Sequence, residues 1–86
     1  TFTLKPAFPN PFNLIINIPF SLSRVLDVKI NIYDINGNRI DNITNQIYSP
    51  GDYNLIWDAS GFSSGTYFIA VEFGGEVKQQ KIVLMK

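Results

Sequence analysis

The chain reads as all-β, a small antiparallel immunoglobulin-like sandwich of about seven strands. Three observations carry that reading. Apolar residues recur at period two in short runs, as in Leu14, Ile16, Ile18 and Phe20, and again in Val28, Ile30 and Ile32. Turn signals separate the runs, at Asn36-Gly37, Ser49-Pro50-Gly51 and Gly74-Gly75. Helix signals are missing: alanine occurs only as Ala7, Ala59 and Ala70, and no window sustains apolar residues at helical spacing.

Residues 1–5 read as the end of a linker or a first strand, with Phe2 and Leu4 on one face. Residues 6–86 form one sandwich domain. The stretch Phe8-Pro9-Asn10-Pro11-Phe12-Asn13 is too rich in proline for helix or central strand, since each proline fixes φ and removes a donor. It reads as a stiff entry clip, with Phe8 and Phe12 expected to anchor the end of the sandwich and Asn10 to bond backbone. A strand follows over residues 14–22. Pro19 cannot donate to a ladder, which predicts an edge strand or a bulge.

Residues 27–35 form the clearest strand, leading into Asn36-Gly37, where a two-residue type I′ turn is expected. Residues 39–43 return as its partner. Residues 44–51 read as a polar, turn-rich connection, with Ile47 and Tyr48 pinned to the core. Tyr53, Leu55 and Trp57 alternate with polar neighbours, and Trp57, the single tryptophan, is the expected centre of the core. Residues 65–73 are apolar on both faces, which predicts a central strand. Gly74-Gly75 makes a tight hairpin into the last strand, residues 76–85.

Composition narrows the function classes. Seven basic and seven acidic side chains leave no net charge, whereas a nucleic-acid binder carries a basic footprint. Cysteine and histidine are both absent, which removes the thiol nucleophile, the commonest general base and the commonest metal ligand. No apolar run approaches the ~18 residues of a spanning helix, so no direct membrane insertion is expected. The acids flank turns, where short carboxylates bond backbone, and a small sandwich without large loops offers no cleft for a catalytic carboxylate pair. Neither catalysis nor a cofactor is expected. Asp34, Asn36, Asn38 and Asp41 faintly resemble a calcium loop, but Gly37 and Asn45 fall at the wrong positions and a plain hairpin turn is favoured. Asn42-Ile43-Thr44 matches a glycosylation sequon, a pattern that arises often by chance. Tyr33, Tyr48 and Tyr53 leave open a sugar-stacking platform.

The blocks in order are Pro9-Asn10-Pro11-Phe12-Asn13; Val28, Ile30 and Ile32-Tyr33-Asp34 with Gly37; Gly51 before Trp57-Asp58; Ser64-Gly65-Thr66-Tyr67-Phe68; and Lys81-Ile82-Val83-Leu84. Together they resemble the type A C-terminal sorting domain of the type IX secretion system, over nearly the whole chain. Leu14 and Ser23 stand where that family often has proline, and Arg39 sits one place later than its usual basic residue. The resemblance implies a non-catalytic label on a larger secreted protein from a Bacteroidota-type bacterium. Its expected partners are the type IX outer-membrane translocon, a surface sortase that removes the label, and a covalently attached N-terminal cargo domain. The expected route runs through the periplasm to the cell surface or the medium. The start at Thr1, without methionine or secretory signal, fits a piece of a longer precursor.

By the same resemblance, the final hairpin carries most of the targeting information, through Gly65, Tyr67, Lys81, Val83, Leu84 and Lys86. If the last strand lies at an edge, its backbone and Lys78, Lys81 and Lys86 are open to a partner. The other readings are a carbohydrate-binding or spacer immunoglobulin-like module accessory to a glycoside hydrolase, and a structural domain of the kind a flagellar hook-cap protein carries.

Overall fold

Alternation along the strands sorts the side chains into a core and two outer faces. Ile16, Ile18, Phe20 and Leu22 are buried on one side of one strand, and Val28, Ile30 and Ile32 on one side of the next. A computed structural model describes residues 1–86. It contains seven strands and no helix: β1 (Phe2–Leu4), β2 (Ile15–Leu22), β3 (Leu26–Tyr33), β4 (Arg39–Tyr48), β5 (Gly51–Asp58), β6 (Gly65–Phe73) and β7 (Glu76–Leu84). They form two antiparallel sheets, ordered β1-β2-β5 and β4-β3-β6-β7, packed face to face as a sandwich.

The core has an aliphatic middle and an aromatic cluster at each end. Val28, Ile30, Ile32, Ile69, Val71 and Ile82 fill the middle from the four-stranded sheet, opposite Ile16 and Ile18. Each such side chain contributes roughly 1.5–3 kcal/mol by leaving water. At one end Phe20 stacks on Phe2 and Tyr53 at 5.3 Å and meets Tyr48 edge-on at 5.4 Å. At the other, Trp57 is 1% exposed and meets Phe12, Phe62 and Tyr67 at 5.8, 5.4 and 5.5 Å. Trp57 therefore centres one end of the core rather than its middle.

Further expectations are corrected. Strand β2 is the middle strand of its sheet, with Pro19 inside it. Proline is tolerated because its carbonyl accepts from the Lys5 N–H at 3.1 Å. In an antiparallel strand N–H and C=O point the same way, so the missing donor faces the side where β1 has already ended. The Lys5 carbonyl takes the Gln80 side-chain amide instead, at 2.8 Å. Leu14 lies outside β2 and is exposed; the buried series begins at Ile16 and ends at Leu22.

The β3–β4 connection is not a two-residue type I′ turn. Asn36 keeps a negative φ and only Gly37 is left-handed, at +83°. The loop spans residues 34–38: the Asp34 N–H donates to the Asn38 carbonyl at 2.9 Å, and Gly37 N–H to the Asp34 carbonyl at 3.1 Å. The Asp34 carboxylate accepts the N–H groups of Asn36 and Asn38, both at 2.9 Å, and these bonds favour the longer loop.

Strand β4 continues to Tyr48 rather than ending at Ile43. Its register against β3 shifts twice, leaving Ile40 and Ile43 without partners as bulged residues. The bulges turn both isoleucines toward the core, so the apolar spacing becomes three rather than two. Tyr48 is buried as expected, whereas Ile47 points outward and is 68% exposed.

The last correction concerns the clip. Phe12 is buried, but Phe8 is 53% exposed and closes nothing. Its backbone pairs with Asn17 on β2, and its ring shares the outer face of the three-stranded sheet.

Candidate recognition surface

The proline segment is a strap tying the two sheets together along one side. Phe8 exchanges backbone hydrogen bonds with Asn17 of β2, at 3.1 and 2.8 Å. Two residues on, Asn10 turns to β7 and uses both ends of its amide: Nδ2 donates to the Lys81 carbonyl at 3.1 Å, and Oδ1 accepts the Val83 N–H at 3.0 Å. Phe12 then runs parallel to β7, its N–H donating to the Val83 carbonyl at 2.9 Å and its carbonyl accepting the Met85 N–H at 2.8 Å. Alternate residues 8, 10 and 12 make these bonds, so Pro9 and Pro11 sit where no donor is used. Both prolines follow cis peptide bonds. Upstream, Gln80 clamps the same strap, accepting from the Ala7 N–H at 2.9 Å as it donates to the Lys5 carbonyl. Asn13 is exposed at the strap's end.

These contacts cover one half of an edge. Strand β7 is the outer strand of its sheet, and its unshifted register against β6 points Val77, Gln79, Lys81 and Val83 outward. The strap occupies both groups of Val83 and the carbonyl of Lys81. The Lys81 N–H and the backbone groups of Gln79 and Val77 meet no protein partner. The last strand is thus at an edge, but residues 81–85 are largely closed and only the hairpin-proximal half is open. Lys78, beside it, holds its ammonium 5.8 Å from the centre of the Phe73 ring, an attractive arrangement.

The remaining residues expected to carry the signal divide between interior and surface. Tyr67 and Leu84 are buried, and the Tyr67 hydroxyl donates to the Ser63 carbonyl at 2.6 Å. Gly65 pairs with Leu84 at the start of β6. Tyr67 and Leu84 shape the hairpin from within, while Gly65, Lys81 and Lys86 are exposed and Val83 half-buried. The Lys86 ammonium donates to the Ser60 carbonyl at 2.8 Å, and its N–H to the Ser64 hydroxyl at 2.9 Å. Nearby, the backbone N–H of Ser60 and then its hydroxyl hold the Asp58 carboxyl below its ordinary value, and the Lys86 charge adds to this.

Three structural residues were not singled out from sequence as fixing the fold. Asp41 accepts the Trp57 indole N–H at 2.9 Å, across the two sheets. Gln80 clamps the strap, and Asn31, the one buried polar side chain, accepts from the Asn42 amide at 2.7 Å. A carboxylate at a core-facing position of β4 was a usable signal for Asp41; the partner of Gln80 lies about 75 residues away in the chain, beyond any local pattern. Of the tyrosines considered for a sugar platform, Tyr48 is buried and bonded to Thr44, and Tyr53 is half-buried and bonded to the Ser49 carbonyl. Tyr33 alone stands on an outer face.

Residues 6–85 match the family model of the secretion system C-terminal sorting domain. No curated protein and no solved structure matches the chain. The matched region begins with the strap and ends beside its last bond on β7, so it takes in both halves of the closure.

Proposed function

The chain belongs to the type IX secretion C-terminal sorting domain family, and from that premise we propose that it is the non-catalytic address label of a larger secreted protein. The outer-membrane translocon reads the label after the protein has folded in the periplasm. A surface sortase then removes it, releasing or anchoring the cargo attached at its N-terminal side. The host is a Bacteroidota-type bacterium and the destination its surface or surroundings. The immunoglobulin-like reading rests on how successive strands are divided between the two sheets.

The observation that carries this proposal is the match over residues 6–85. The reading is supported at the surface by the exposed side chains of Lys81 and Lys86 and by the half-open edge of β7, which a reader would touch. Fusing residues 1–86 to a reporter in a type IX-competent host tests the proposal. The expected result is reporter at the surface or in the medium, with the fused domain trimmed away. Reporter retained in the periplasm as often as an unfused control overturns it.

A further inference from the structure

The register of the four-stranded sheet arranges its outer face in rungs that cross all four strands. One rung reads Arg39, Tyr33, Phe68, Lys81; the next reads Asn42, Asn31, Ala70, Gln79. The second rung is sunken. Asn31 and Ala70 are 2% and 6% exposed although they lie on the side away from the core. Tyr33 and Phe68 are half-buried beside it. A slot of about 330 Å³ opens beside it, over the first rung and the β3–β4 loop, lined by Tyr33, Asp34, Ile35, Gly37, Phe68 and Gln79. Ile35, at its rim, is 74% exposed.

Gln79 joins this slot to the open edge. Its side chain lines the slot, and its backbone N–H and C=O face outward from β7 without partners. Unpaired edge groups beside a side-chain pocket are the two elements of strand-addition recognition: the backbone supplies affinity and the pocket selects the residue. The strap sets the length, because the Lys81 carbonyl is already taken by Asn10. Charge sets the chemistry. Lys78 and Lys81 flank the edge and Arg39 ends the first rung. The nearest acids are Glu72 and Glu76 toward the hairpin and Asp34 in the slot wall, whose carboxylate already accepts two N–H groups.

We propose that the open half of β7 and the adjoining slot dock an extended acidic peptide segment of a partner protein. The segment pairs as a short strand with Val77 and Gln79 and seats one large apolar side chain between Tyr33 and Phe68. This rests on the sorting-domain reading, in which the partner belongs to the export machinery.

Two variants test it in the reporter fusion. Gln79→Pro removes a donor that points away from the sheet, a substitution edge strands tolerate, and Gln79→Trp fills the slot. Ile56→Trp, on the exposed outer face of the other sheet, is the bulky control. Both Gln79 variants are expected to lower export about tenfold, the effect of losing one anchoring contact. Melting temperature and the Ile56→Trp control stay unchanged. Export equal to the unsubstituted chain, from a folded Gln79→Trp, overturns the docking surface and leaves the sorting reading standing.

If the unsubstituted fusion itself is not exported, the sorting reading falls and a titration decides the surface. The probe is a synthetic heptapeptide of alternating glutamate and valine with a central tryptophan, added to isotope-labelled protein. Amide shifts at Phe68, Val77, Gln79 and Lys81, lost when lysine replaces the peptide's glutamates, support the surface. Shifts elsewhere, none, or equal binding of the lysine peptide overturn it.

Discussion

Trp57 and Asp41 join the two sheets: the indole N–H of β5 donates to the carboxylate of β4 at 2.9 Å. The other carboxylate oxygen of Asp41 accepts the N–H of Asn42, also at 2.9 Å. A 1%-exposed indole in an otherwise apolar cluster thereby has its single donor satisfied. Removing the acceptor leaves that donor buried and unpaired, which costs about 1–3 kcal/mol. Asp41→Ala is therefore expected to lose stability on that scale and Asp41→Asn, which keeps an acceptor, less. Urea unfolding followed by Trp57 fluorescence measures both, and equal midpoints for Asp41→Ala and the parent would refute the linkage.

Asn10 makes two bonds to β7 with one amide. Asn10→Asp keeps the acceptor for Val83 but loses the donor to the Lys81 carbonyl, whereas Asn10→Ala loses both. The expected order of stability is Asn, then Asp, then Ala, with Asn10→Ala lower by about 1–2 kcal/mol. Hydrogen exchange at the Val83 amide is the direct readout. It should accelerate in Asn10→Ala and stay slow in Asn10→Asp.

Gly37 is the left-handed residue of the β3–β4 loop, and no atom crowds the place where a Cβ would stand. Gly37→Ala thus isolates the backbone cost, expected at roughly 1–2 kcal/mol. Gly37→Asn, which tolerates this conformation better, should recover part of it. Thermal unfolding of the pair gives the comparison, and an alanine variant as stable as the parent would contradict the assigned turn.

Asp58 supplies a pH dependence of known sign. Its folded carboxyl is held below the ordinary value, mainly by the Ser60 N–H and hydroxyl. Its contribution to stability is present above the unfolded pKa and disappears as pH falls through the folded one. The group is fully exposed, so the effect on unfolding is small and the titration itself is the better observable. Side-chain carbon shifts of Asp58 should titrate below those of an unstructured peptide, and Ser60→Ala should move the midpoint upward only in part, since the backbone bond remains.

Strands β2, β3 and β6 were legible because their inward residues keep strict alternation against one core. Strand β4 was not, since the bulges at Ile40 and Ile43 break period two along that edge strand. The Asn36-Gly37 pair suggested a short turn, but the competing signal was two residues earlier, in the two N–H groups that Asp34 captures. At the candidate surface, the lysines could be read from the chain, whereas the edge position of β7 entered only as a condition. The closure of half that edge could not, because it depends on Asn10 and Gln80 meeting backbone from the opposite end of the chain.

The strap gives the fold a test of completeness. Lys5, Ala7, Asn10 and Phe12 each have a bonding partner at residues 80–85, so nearly the entire domain must exist before its first segment is fully bonded. A chain cut short before Gln80 leaves Lys5, Ala7, Asn10 and Phe12 with unanswered polar groups, and Phe12 without the bridge to Leu84 that seats it beside Trp57. Closure of the edge therefore depends on the last strand, and any reader that requires the closed edge passes over chains that lack it.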